Sequence, residues 1–169
     1  MYDIYFLGVG KLCSPGQVAW MEDLLAKSTS SFIVVGGHQL VWSICEHGPT
    51  GEVIRQFVPL LEKYNVTMWM NGHDHCNQHI VDKGVHYFTS GTAENNNPST
   101  NHSDFADKYN STAALLFHAP GHNGGFAGVH VTAKQLEFTQ YDGDGSVLYK
   151  APAIAPRYVA RHATNGAED

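Results

Sequence analysis

Apolar residues in this chain change period along its length, and the changes mark its elements. Ile4 to Val9 reads as a first strand. Ser14-Pro15 follows as a helix start, with serine as N-cap and proline at the first helical position. Val18, Met21, Leu24 and Leu25 then recur at helical spacing through about Lys27. Phe32 to Val35 is a short continuous apolar run that predicts a buried strand. A second helix, capped at Thr50, would bury Val53, Ile54, Phe57, Leu60, Leu61 and Tyr64, and Pro59 should kink or split it. Asn65 to Met70 is a third strand. The order helix, strand, helix, strand between Gln17 and Met70 predicts two successive β-α units, parallel and right-handed. The pattern then changes. Gln78–Val81 and Val85–Ser90 flank Asp82-Lys83-Gly84 as a hairpin, Gly91 to Thr112 is a polar loop, and 113–118, 124–132, 135–141 and 146–149 read as short strands joined by turns.

With 169 residues, a single domain is expected, drawn here as residues 1–156 with a tail over 157–169. A hydrophobic fraction of 43% and a charged fraction of 15% describe an ordinary globular chain, and a net charge of −6 argues against general nucleic-acid binding. No apolar run approaches the roughly 20 residues of a membrane span. The first eleven residues lack the basic start and long apolar stretch of a signal peptide and read as an interior strand. Cys13, Cys45 and Cys76 allow one internal disulfide at most and leave one thiol over. Asn65, Asn101 and Asn110 head glycosylation sequons, whereas Asn97 is excluded by Pro98. Asp142-Gly-Asp-Gly-Ser146 imitates the start of a calcium loop but lacks the acidic residue at the twelfth position, so it reads as a hairpin turn.

Candidate chemistry lies where two strands end in glycine and histidine. Phe32-Ile-Val-Val-Gly-Gly-His38 is one such unit, and the strand through Met70 runs into Asn71-Gly72-His73-Asp74-His75. Neutral imidazoles suit zinc, iron and similar ions. Two parallel strands that end this way place one site at the carboxyl edge of a sheet, where open α/β sheets bind ligands. Trp42 could be core or the lip of a cleft. His79, His86, His102, His118, His122, His130 and His162 are read as ordinary histidines.

Val35-Gly-Gly-His38 followed by Gly72-His73-Asp74-His75 resembles the last two of five signature motifs of the purple acid phosphatases, within the calcineurin-like metallophosphoesterases. Gly37-His38 through Glu46-His47-Gly-Pro-Thr50, Pro59-Leu-Leu, Ser90-Gly91 and Gly124-Gly-Phe-Ala127 are similar to the small tartrate-resistant animal type, over about Gln17 to Pro156. The resemblance implies the carboxyl-terminal half of an α/β metallophosphoesterase β-sandwich with flanking helices. It implies an acid phosphatase that hydrolyses phosphate monoesters by attack of a metal-bound hydroxide at a dinuclear centre of Fe(III) with Fe(II), zinc or manganese. His38 and His73 would bind the divalent ion and His75 the ferric ion. Glu46 and His47 would reach over the metals, with His47 contacting phosphate or protonating the leaving alcohol. It also implies a secreted, lysosomal or vacuolar location.

The departures shape the reading equally. The family's first three motifs, Asp-x-Gly, Gly-Asp-x-x-Tyr and Gly-Asn-His-Asp/Glu, are absent, and with them the bridging carboxylate. Without these the chain would need a missing amino-terminal half as its partner. The alternative is a metal- or phosphate-binding protein of the same fold that lacks the catalysis. A half-sandwich should also leave an apolar sheet face uncovered. Cys13 resembles a family cysteine whose usual partner would fall just after Thr50, where this chain has Gly51-Glu52, and its pairing stays open.

Overall fold

The computed structural model describes residues 1–7, 13–121 and 124–157. Its elements run β1 (Tyr2–Phe6), α1 (Pro15–Lys27), β2 (Phe32–Gly36), α2 (Gly51–Lys63), β3 (Met68–Asn71), β4 (Asn77–Asp82), β5 (Val85–Ser90), α3 (Phe105–Lys108), β6 (Ala114–Ala119), β7 (Gly125–Val131), β8 (Leu136–Asp142) and β9 (Val147–Lys150). A six-stranded sheet has the order β1-β2-β3-β5-β4-β6, and a second sheet has the order β7-β8-β9. β1, β2, β3 and β5 are parallel neighbours, while β4 runs antiparallel to β5 and β6. The two predicted β-α units and the hairpin are therefore present. The expected strand to Val9 is seen through Phe6, Leu7 falls just beyond it, and residues 8 and 9 lie outside the described residues, as does the tail beyond Arg157.

Strand alternation builds two cores. Ile33 and Val35 of β2 face α1 and α2, meeting Met21, Leu25, Phe57 and Leu61. Phe32 and Val34 turn the other way, with Met68 and Phe88, onto Leu136 and Phe138 of the second sheet. Phe88 and Phe138 stack with centroids 3.8 Å apart. A strand covered on both faces must read as an unbroken apolar run, which is why Phe32-Ile-Val-Val carries no polar residue.

Ser14 caps α1, its Oγ accepting from the Gln17 backbone N–H at 3.3 Å. Pro59 does not split α2, which runs unbroken through Lys63. The carbonyl that proline leaves without a partner belongs to Arg55, and both residues lie on the exposed side of the helix. The buried row Val53, Phe57, Leu60 and Leu61 meanwhile anchors the helix. Arg157 donates to the carbonyls of Ser28 and Tyr64, the C-caps of α1 and α2, at 2.7 and 2.8 Å. Trp42 is core, packed against Tyr87, Phe105 and Tyr109. The Asp142–Ser146 segment is a turn, closed by Gly145 N–H to the Asp142 carbonyl at 3.0 Å.

Two of the histidines read as ordinary form a polar thread between the layers. His79 is fully buried, 2.9 Å from His86 Nδ1 through Nε2 and 3.0 Å from the Tyr149 hydroxyl through Nδ1. Burial, and then the neighbouring His86, push its pKa down from 6.5 to about 3. Folded His79 stays neutral across that window, whereas the unfolded chain takes up the proton. The unfolded state thus binds more protons, and stability is lost as pH falls from 6.5 toward 3. The urea midpoint should drop over this range, and His79→Phe, which keeps the stack on Phe88, should make the drop shallower. An unchanged slope would exclude His79 as its source.

Candidate metal and phosphate site

His38 lies just beyond β2, and His73 and His75 just beyond β3, its parallel neighbour. Register thus brings the three predicted ligand histidines to one sheet edge. His38 Nε2 and His73 Nδ1 are 3.2 Å apart, and the His47 ring lies 4.5 Å from that of His73, centroid to centroid. His73 sits at φ +57°, a left-handed conformation uncommon for a residue with a side chain. Burial, followed by the charges of neighbouring His47 and His38, holds the His73 pKa below its ordinary value and favours the neutral ring that can act as a ligand. His75 is half-buried, and its carbonyl accepts from Asn97 N–H at 2.8 Å.

Asp74, the unassigned position of Gly-His-x-His, organises the site from beneath. It is fully buried, and its Oδ1 accepts from both the backbone N–H of His47 at 2.8 Å and the His47 ring Nδ1 at 2.6 Å. Its Oδ2 accepts from Ser43 Oγ. Ser43 Oγ in turn accepts from Cys45 N–H at 3.0 Å and Gln78 Nε2 at 2.8 Å. With both lone pairs engaged, the Ser43 hydroxyl proton has Asp74 as its acceptor. Gln78 also donates to Thr89 Oγ1, which donates to Asn71 Oδ1. One buried chain of hydrogen bonds therefore links the end of β3 to the His47 ring. Holding a proton on Nδ1 leaves Nε2 of His47 as the working nitrogen.

Further contacts tie the loops together. Cys45 and Cys76 form a disulfide, so the thiol left over is Cys13. Glu46 is exposed, its Oε2 accepting from Asn97 Nδ2 at 2.6 Å, and its carbonyl lies 3.2 Å from His102 Nε2. The stretch read as a plain polar loop thus folds over the site and contains α3. Gly91 N–H bonds to the Cys76 carbonyl at 3.1 Å, and a Cβ at position 91 would lie 1.8 Å from the Asp74 carbonyl oxygen. The sequon residues Asn65, Asn101 and Asn110 are all exposed.

No family model matches the chain. Over 137 residues it is 39% identical to tartrate-resistant acid phosphatase type 5 of Oryctolagus cuniculus, a match covering 79% of this chain and 41% of the relative. The Homo sapiens protein of that name is 36% identical over 137 residues, with the same two coverages. Purple acid phosphatase 7 of Arabidopsis thaliana is 30% identical over 128 residues, 75% of this chain and 37% of the relative. Over that span the chain is similar to the purple acid phosphatases. Two solved structures share its fold. Purple acid phosphatase PPD1 from yellow lupin seeds matches with a TM-score of 0.63 at 14% identity, over 93% of this chain and 31% of that one. GAP50, the anchor in the inner membrane complex of Plasmodium, matches at 0.69 and 19%, over 85% and 41%. The chain spans about two-fifths of the length of the curated relatives it matches.

In this chain the donors fit a metal in kind but not in number. His38, His73 and His75 offer neutral nitrogen, yet Asp74 is committed to His47 and Ser43 and is no ligand. Among the described residues, the group of three His, Cys, Asp or Glu whose ligand atoms all approach within 4.8 Å is Cys45, Cys76 and His118, not the three predicted histidines. Beside His38 and Asn71 opens a cavity of about 650 Å³ walled by Ile4, Phe6, Val34 and Met70. Tyr2, Ile4 and Phe6 are 56, 49 and 74% exposed, an apolar face that the second sheet does not cover. No helix among the described residues is long and apolar enough to cross a membrane.

Proposed function

We propose that this chain provides the histidine side of the dinuclear centre of an acid phosphatase acting on phosphate monoesters. The observation that carries the reading is the Asp74-held His47 ring beside the His38–His73 pair. His38 and His73 would hold a divalent ion, iron, zinc or manganese, and His75 the ferric ion. When bound, such a pair polarises the phosphoryl oxygens and activates water as the nucleophile. This chain's own part is positioning and proton transfer. His47, with Nδ1–H held by Asp74, would in its doubly protonated form present Nε2–H to phosphate and deliver that proton to the leaving alcohol oxygen, keeping the Nδ1 proton. Asn97 orients the Glu46 carboxylate beside it. Remaining ligands would come from an amino-terminal half packed on the Tyr2, Ile4 and Phe6 face. The disulfide supports an oxidising compartment, secreted, lysosomal or vacuolar, in keeping with the exposed sequons.

The test joins the amino-terminal half of the rabbit relative to this chain and follows hydrolysis of a chromogenic phosphate monoester with iron and zinc supplied. Turnover should fall by about 10²- to 10⁴-fold in His47→Ala, the usual contribution of a general acid. His73→Ala should abolish it. A second reading, a binder without catalysis, is favoured by the donors being too few. A folded, metal-loaded chimera that binds phosphate but turns over nothing would establish that reading and overturn the first.

A further inference from the structure

Outside the histidine site, three ligand-type side chains converge from three segments. Cys45 lies in the connection after β2, Cys76 directly before β4, and His118 on β6. Their ligand atoms all lie within 4.8 Å of one another. The sheet fixes the imidazole there, because β6 pairs with β4 and sets His118 opposite Gln78, two residues from Cys76. Both cysteines are buried, and Cys45 N–H is anchored on Ser43 Oγ. His118 supplies an independent sign. Its Nε2 is buried and has no hydrogen-bond partner, an arrangement that costs free energy unless something accepts or donates there. Burial also lowers the pKa of the ring and keeps it neutral, as a ligand must be.

We propose that opening the Cys45–Cys76 bond with a dithiol creates a zinc-class site of two thiolates and the His118 imidazole. The dithiol gives up two electrons and two protons and becomes a cyclic disulfide, while the cystine becomes two thiols. A divalent ion then forms two metal–sulfur bonds, releasing one proton from each thiol to solvent, and accepts the lone pair of His118 without proton change. Two sulfurs and one nitrogen are a donor set that zinc favours, with a fourth position left for water. The ion would replace the covalent clasp between the loop carrying Glu46-His47 and the turn carrying His73–His75. Oxidised, the protein has a staple; reduced and metallated, it has a removable one.

The experiment uses the full chain with Cys13→Ser, reduced by a dithiol, desalted and titrated with Co²⁺, whose sulfur-to-metal absorption reports thiolate ligation. The reduced chain should take up one ion with that absorption, and the oxidised chain should show none of it. His118→Gln should weaken binding by more than about tenfold, since even changes behind a ligand cost that much. Cys76→Ser should remove the dithiolate signature. His38→Ala and His73→Ala should leave the absorption unchanged, separating this site from the phosphatase histidines. Absence of the absorption in the reduced chain overturns the proposal. So does absorption indifferent to His118→Gln, which is what an unfolded dithiol would give; His118→Gln with its disulfide intact shows by circular dichroism that this variant folds.

Discussion

Asp74→Ala should lower the unfolding free energy by about 3 kcal/mol, from two donors losing a buried acceptor at roughly 1–3 kcal/mol each. Those donors are the Ser43 hydroxyl and the His47 backbone N–H. Ser43 Oγ already receives Cys45 N–H and Gln78 Nε2, so its hydroxyl proton is the hydrogen-bonding function that Asp74 Oδ2 serves. Asp74→Asn should cost less. Its carbonyl can keep the His47 contacts, but its amide would confront Ser43 Oγ with a third donor. Urea unfolding measures the cost, and nitrogen NMR of the His47 ring measures the proton position. In the native chain the neutral ring should carry its proton on Nδ1, facing Asp74 Oδ1, and in Asp74→Ala the two tautomers should mix. A ring still locked on Nδ1 in Asp74→Ala would show that another group orients it.

Removing the disulfide is the second large effect. Cys45 and Cys76 are 31 residues apart in sequence, and releasing a loop of that size from the denatured chain costs about 3–4 kcal/mol in the chain-entropy description. The guanidinium midpoint of Cys45→Ala/Cys76→Ala, compared with the oxidised parent, checks this. The loss should concentrate near the site, with amide exchange speeding up from Leu40 to Gly48 before the sheet interior responds. A change below about 1 kcal/mol would mean that the denatured chain is already restricted around this loop without the clasp.

The β-α order and the hairpin were legible because Phe32–Val35 and the Asn65–Met70 run are apolar without interruption, and Ser14-Pro15 carries its own cap. The meeting of His38 and His73 followed from two adjacent parallel strands ending alike. Pro59 does not split its helix, and a local steric rule cannot see that the residue whose carbonyl it strands, Arg55, lies on the exposed side. Asp74 stood inside the motif, but its role depends on Ser43 and His47, which lie about thirty residues away and reach it only when the loop after β2 folds back. Asn97 was hidden in the same way, as was His79, whose partners His86 and Tyr149 lie on β5 and β9. Side-chain chemistry that depends on contacts across layers leaves no local period to read.

Gly91 carries a constraint of a different order. A Cβ there would overlap the Asp74 carbonyl oxygen at 1.8 Å, far inside contact distance, and the obstacle is backbone rather than a side chain that could swing aside. Position 91 has no side chain to offer as a ligand, yet it holds a veto over the turn that carries His73 and His75. Natural variation should therefore be as scarce there as at the histidines themselves, and a mutational scan scored only on chemistry would mistake a spacer for a reactive group.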